Sequence, residues 1–187
     1  MDGMKIYVAL LRGINVSGQK IIKMEDLKIA FESLHYECVT TYIQSGNVVF
    51  GSAAANTTLL RMQIEKKLLK IFGFEVPVIV KTLKEIEETI KRNPFKKIKA
   101  QEGEKLHVSF LSGKPAKAAA ENLAAVKNDV DEIHLSGSEV YILCRKGYGK
   151  TIFSNTLLEK KLAVSSTTRN WATVEKLLSL GKAAADI

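Results

Sequence analysis

The feature that most constrains the fold is a succession of elements that occurs twice. It opens on two similar strand-like runs. Lys5-Ile6-Tyr7-Val8-Ala9-Leu10-Leu11-Arg12-Gly13 lines up with Lys105-Leu106-His107-Val108-Ser109-Phe110-Leu111-Ser112-Gly113. After the first run comes a loop, RGINVSGQK, and then MEDLKIAFESL, whose Met24, Leu27, Ala30, Phe31 and Leu34 share one helical face. Two β-branched runs, ECVTTYI and VVF, flank Gln44-Ser45-Gly46-Asn47 and read as a hairpin. Residues 56–72 follow as a helix with Leu59, Leu60, Ile64, Leu68 and Ile71 apolar. EVPVIVK is a further strand, and Pro77 near its start suits an edge, where a missing N–H does no harm. Strand–helix–strand–strand–helix–strand is the order of a ferredoxin-like plait. Right-handed crossovers and antiparallel neighbours then set the strand order 4-1-3-2.

The second succession is less regular. KLHVSFL is a strand and PAKAAAENLAAVKN an Ala-rich helix. DEIHL and EVYILCR flank a second Ser-Gly turn, SNTLLEKKL is a helix, and AVSST reads as a short edge strand. TRNWATVEKLLSLG reads as an extra helix, with Trp171 an apolar anchor, Thr168 a capping residue and Gly181 a stop. The expected class is therefore α+β, two ferredoxin-like α/β plaits plus a C-terminal helix. The expected divisions are 1–81, a linking helix and basic linker at 82–104, and 105–187. Asn93-Pro94 ends the linking helix, because Pro94 disfavours helical geometry at Asn93.

Charge and cysteine content narrow the function. The 187 residues are 46% hydrophobic and 26% charged, which is ordinary for a globular chain that buries a core. Lys+Arg number 28 against Asp+Glu 20, a net charge of +8 with a pI near 9.4. That balance permits an anionic small molecule or nucleic acid as partner. Many lysines, such as Lys66, Lys67 and Lys70, fall on solvated helix faces, and Lys96, Lys97 and Lys99 form a short linker cluster. No apolar run is long enough for a membrane span, and the apolar stretch of MDGMKIYVALLRG is too short for a signal peptide. Cys38 and Cys144 lie in strand patterns without CxxC spacing and read as buried free thiols, with a cytoplasmic setting as the default.

Topology nominates two site candidates. In a 4-1-3-2 plait the first strand leaves the sheet beside the start of the third. RGINVSG and QSGN therefore share one end, where Arg12, Asn15, Ser17, Gln44, Ser45 and Asn47 converge. Gly13, Gly18 and Gly46 give that end positive φ or close backbone approach. An Arg with backbone N–H groups suits a carboxylate or phosphate. By the same reasoning the segments Arg145–Thr151 and Thr167–Trp171 meet near Lys105, making Lys150, Arg169 and Asn170 a second candidate. The blander readings are a bridging Arg12 with glycines that only turn the chain, and a capped helix with Arg169 in a salt bridge.

Several familiar sites do not fit. GYGKT follows a strand and precedes a helix, but a phosphate loop of the Walker type needs Gly where Cys144 stands. An RNA-reading plait needs stacking aromatics on its third strand, and Asn47-Val48-Val49-Phe50 lacks the pair. His35, His107 and His134 have no metal-ligand spacing, and no cofactor motif is visible.

VALLRGINVSGQKIIKMEDL, TYIQSGNVVF and TTRNWATVEKLL resemble a bacterial family of uncharacterised proteins, a domain of unknown function. Its members carry ALLRGINVGG, TYIQSGNV and TxRNW in this order, and the resemblance spans nearly the whole chain. Ser17 replaces a usual glycine, which removes one φ-permissive position. The resemblance implies two similar plaits. It also implies that Arg12, Gly13, Asn15, Gly18, Gln44, Ser45, Gly46, Asn47, Arg169, Asn170 and Trp171 belong to the family pattern. It supplies no activity. The expected function is binding of an anionic ligand. The alternatives are an enzyme on a small acidic or phosphorylated substrate, with an Arg as anchor and Ser45 or a carboxylate reacting, and a protein-interaction scaffold.

Overall fold

A computed structural model describes residues 3–96, 104–126 and 128–186. Lys97 and Lys99 of the linker cluster, and Lys127 of the Ala-rich helix, lie outside the described residues.

The first plait runs β1 (Lys5–Leu11), α1 (Met24–Glu32), β2 (Glu37–Tyr42), β3 (Asn47–Ser52), α2 (Thr57–Phe72) and β4 (Val78–Thr82). Its four strands are antiparallel in the order β2-β3-β1-β4, the expected order read from the other edge. Then come α3 (Leu83–Lys91), β5 (Lys105–Leu111), α4 (Lys117–Ala124), β6 (Glu132–Ser136), β7 (Glu139–Cys144), a 3₁₀ turn at Tyr148–Lys150, α5 (Asn155–Leu162), β8 (Ser166–Asn170) and α6 (Trp171–Ala185). The second sheet repeats the order as β6-β7-β5-β8. The protein is thus two ferredoxin-like plaits with an additional C-terminal helix. Residues 1–88 with 175–187 make one compact unit and residues 89–174 the other. Among the described residues no helix is long and apolar enough to cross a membrane.

Each plait has its own core. In the first, Tyr7, Phe31, Tyr36 and Phe50 pack as an aromatic cluster, with Tyr36 and Phe50 stacked at 4.6 Å. Leu60, Ile64 and Leu68 of α2 close it from above, whereas Leu59 and Ile71, also apolar in the sequence pattern, are exposed. In the second, Leu111, Ile142, Phe153 and Leu158 are the equivalents. Burial of such side chains supplies about 1.5–3 kcal/mol each.

The repeat extends to the hydrogen bonds. Leu11 N–H donates to Gly46 O at 2.8 Å, and Leu111 N–H to Ser138 O at 2.9 Å. Arg12 N–H reaches Pro77 O at 2.9 Å, and Ser112 N–H reaches Ser165 O at 2.8 Å. A carboxylate from the second helix of each plait then covers the first N–H of its outer edge strand. Glu65 Oε1 accepts from Val78 N–H at 2.9 Å, and Glu159 Oε1 from Ser166 N–H at 2.7 Å. Thr82 and Glu85 form a reciprocal capping box that starts α3 and occupies the last N–H of β4. Such covering blunts edges that would otherwise pair with other chains.

Five expectations need correction. The Ala-rich helix stops at Ala124, because Asn128 Oδ1 accepts from Val130 and Asp131 N–H groups and turns the chain into β6. The last strand lies at 166–170 rather than 163–167, since Ala163 sits at φ +56 as the C-cap of α5. Thr168 is consequently a strand residue, and Asn170 caps α6 by accepting from Thr173 N–H at 2.8 Å. Gly181 does not stop α6 but lies within it against Leu83, where a Cβ would come to 2.3 Å from Leu83 Cδ1. Cys144 is buried as expected, but Cys38 is only half-buried, at a bulge of β2 with φ +50.

Candidate functional site

The end of the first sheet where β1 leaves and β3 begins has an unusual backbone. Gly13, Asn15, Ser17, Gly18 and Lys20 have φ of +71, +54, +50, +74 and +47. Across from them, Ile43 and Gly46 have φ of +50 and +76. A β-branched residue such as Ile43 in this region is a genuine outlier. Strain of this kind persists only where the surroundings over-determine it.

Asn15 supplies the main restraint. Its Nδ2 donates to Ile22 O at 3.0 Å and to Gln44 O at 2.9 Å, and its Oδ1 accepts from Ile22 N–H at 2.9 Å. Its own N–H donates to Lys20 O at 3.2 Å, and Gln19 N–H to Val16 O at 2.9 Å, closing a small ring at the loop tip. One amide side chain therefore ties the loop to itself and to the hairpin. Asn47, fully buried, does the same inside the hairpin, with Nδ2 donating to Tyr42 O at 2.9 Å and Ser45 Oγ at 3.1 Å. Gly46 is buried beneath the loop, where a Cβ would meet Ile14 Cδ1 at 2.7 Å and Leu11 Cβ at 2.8 Å.

The two motifs are thus brought together, with roles more sharply divided than the sequence suggests. Asn15, Asn47 and Gly46 hold the corner. Gly13, Ser17, Gly18, Gln44 and Ser45 are exposed on it, and Arg12 is half-buried at its base. Sequence reasoning missed Lys20, whose Nζ donates to Glu75 O at 2.6 Å and stands 5.8 Å from the centre of the Phe74 ring. A signal was present, since Lys20 is the only cation besides Arg12 in RGINVSGQK. Also missed were Val16, Ile21 and Ile43, which are 59%, 60% and 45% exposed around the corner.

The second candidate is not a single exposed group. Arg169 is buried, with Nη1 donating to Thr167 Oγ1 at 2.8 Å and Thr168 O at 2.9 Å. Burial pulls its guanidinium down to about 10, and nearby Tyr148 offsets part of that. Lys150 is exposed in the 3₁₀ turn, Asn170 caps α6, and Trp171 is half-buried at the start of α6. Val108 pairs with Arg169 and His107 with Asn170, so Arg169 and His107 occupy opposite faces of the sheet. Tyr148 stacks on His107 at 4.6 Å. Burial and the charge of Lys105 lower the His107 pKa, against a raising contact with Lys105 O. Beneath α5, Ser166 Oγ and Thr168 Oγ1 both donate to Asn155 Oδ1, at 3.0 and 2.8 Å. Among the described residues no group of three His, Cys, Asp or Glu side chains is arranged to hold a metal.

A family model described as a protein of unknown function (DUF1697) matches residues 4–141. Among solved structures, the conserved bacterial protein SP0830 from Streptococcus pneumoniae is similar, with a TM-score of 0.77 and 21% sequence identity. The match covers 95% of this chain and 99% of that one, and at this identity it speaks for the fold alone. No curated protein matches the sequence.

Proposed function

We propose that this chain, which belongs to the DUF1697 family of proteins of unknown function, binds an anionic ligand, a phosphorylated small molecule or nucleic acid, at the corner between β1 and β3. The observation that carries the reading is the alternation of φ sign along residues 13–17. Positive φ at Gly13, Asn15 and Ser17, with Ile14 and Val16 between them outside that region, is the pattern of a backbone nest. Successive N–H groups in such a segment turn to one side and form a concavity suited to an oxyanion, with the Asn15 N–H already taken by Lys20 O. Arg12 at the base and Lys20 beside it add the positive charge, in a chain of net charge +8. Asn15 fixes the loop before any ligand arrives, which reduces the ordering cost of binding. Two free thiols favour a cytoplasmic setting.

A protein-interaction role is the second reading, supported by Val16, Ile21 and Ile43 exposed around the same corner. Turnover at Ser45 ranks below both. Its hydroxyl accepts from the Asn47 amide, a group that cannot take a proton from it.

Thermal-shift measurements with inorganic phosphate, nucleotides, sugar phosphates and short oligonucleotides test the proposal. Wild type is expected to be stabilised by at least one of them, increasingly at low ionic strength. Arg12→Ala is expected to lose that shift. If no probe stabilises wild type more than Arg12→Ala, the anion reading is wrong.

A further inference from the structure

Helix α2 is apolar on two sides. Leu60, Ile64 and Leu68 face the core, while Leu59, Met62 and Leu69 stand on the opposite surface, 55%, 54% and 44% exposed. At 100° per residue these three form one stripe with Lys66, on the side a surface helix normally leaves polar. The stripe itself forms one wall of a groove of about 650 Å³, whose other wall is the extended segment Glu75-Val76-Pro77. We infer that this face is a self-association surface, on which a second copy of the chain lays its own α2 stripe into the groove.

Shape and charge favour a second copy. A two-fold contact needs a patch that is complementary to itself. Here Leu59, Met62 and Leu69 line the groove together with Val76 and Pro77, so a two-fold axis would bring the same apolar surface of two copies together. The charges have the same property. Lys66 and Glu75 line one groove with opposite signs, and neither has an ion-pair partner among the described residues. Glu65 is already committed to Val78 N–H. An antiparallel arrangement sets the Lys66 of each copy against the Glu75 of the other. An anionic membrane or nucleic acid fits less well. The groove is concave, and its lining holds Glu65 and Glu75 against Lys66, with no positive excess in a chain that is strongly basic overall. A contact confined to one helix face and one groove is small, so a concentration-dependent dimer is expected.

Sedimentation equilibrium of the full chain, from low micromolar to near-millimolar concentration, tests this. Wild type should pass from monomer to dimer. Met62→Glu should remain monomeric with an unchanged melting temperature, since the side chain is exposed. Lys66→Glu and Glu75→Lys should each weaken the dimer several-fold, because each sets like charges against one another. Mixing K66E chains with E75K chains should restore association as a heterodimer, which a merely sticky surface would not do. A wild type that stays monomeric throughout, or a dimer indifferent to Met62→Glu, overturns the inference. Binding to phosphatidylglycerol vesicles that Met62→Glu abolishes, without any dimer, would assign the face to a membrane and overturn it equally.

Discussion

Gly46 has the least freedom of any residue at the candidate site. Its φ of +76 requires the left-handed region, and the space where a Cβ would stand is already occupied by Leu11 and Ile14. The two constraints act together in Gly46→Ala, which should cost about 2–4 kcal/mol, combining left-handed strain with overpacking. Chemical denaturation measures it. A loss under about 0.5 kcal/mol would mean that the hairpin shifts away freely from the loop. The two cysteines differ in a way equally open to measurement. Burial, with Asp131 as a second cause, pushes the Cys144 thiol up to about 11, partly offset by a hydrogen bond with Thr151. At neutral pH it should stay unreactive in the native protein, because the thiolate is the nucleophile. Half-buried Cys38 should account for the native reaction with a thiol reagent, and Cys38→Ser should abolish it. Residue identity foretold part of this. Ser-Gly-Asn announces a turn, and Gly announces positive φ. Ser17, standing where the family pattern has glycine, keeps the left-handed φ of that position, but nothing in the sequence marks Ile43 or Lys20 as left-handed, because these residues adopt that conformation only under restraint from neighbours.

Among the elements, strands and helices with strong periodicity are where the sequence reads best. β5 occupies residues 105–111 as expected, and the core face of α1 is the one the spacing indicates. Reading falters where a cap or a tertiary contact competes with local pattern. Ala163 ends α5 in the left-handed region and delays β8 by three residues, so Thr168 and Arg169 become strand residues. Gly181 stays helical because Leu83 packs where its side chain would be. Leu59 and Ile71 look like core residues and are not, since the sheet accepts only one face of α2. The edge carboxylates offer a test on this scale. Glu65→Ala and Glu159→Ala should each destabilise by about 1–3 kcal/mol, the cost of stranding an N–H that had a charged acceptor. The Gln variants should recover much of it, because the amide oxygen still accepts. Urea unfolding of the four variants checks this, and equal losses for Ala and Gln would show that charge rather than the hydrogen bond matters there.

Taken as a whole, the molecule is one plan used twice with unequal consequences. The equivalent bonds at Leu11 and Leu111, and at Glu65 and Glu159, show that the duplication reaches atomic detail. Yet the turn that carries buried Asn47 in the first plait carries Glu139 at the same register in the second, since Leu10 pairs with Asn47 as Phe110 pairs with Glu139. The loop after β1 is strained and stapled, whereas the equivalent loop after β5 contains no residue with positive φ. Function is therefore proposed for one end of one plait, on a scaffold the other plait shares. The sequence by itself determined the two plaits, their strand order and the meeting of RGINVSG with QSGN. Hydrophobic periodicity, turn residues and crossover handedness are local or topological rules that leave little choice. Only the tertiary structure decided which side chains at that corner are staples and which face solvent, that Arg169 is buried, and that α2 is apolar on its outer surface. These depend on what lies opposite each side chain in space, and spacing along the chain carries no record of that.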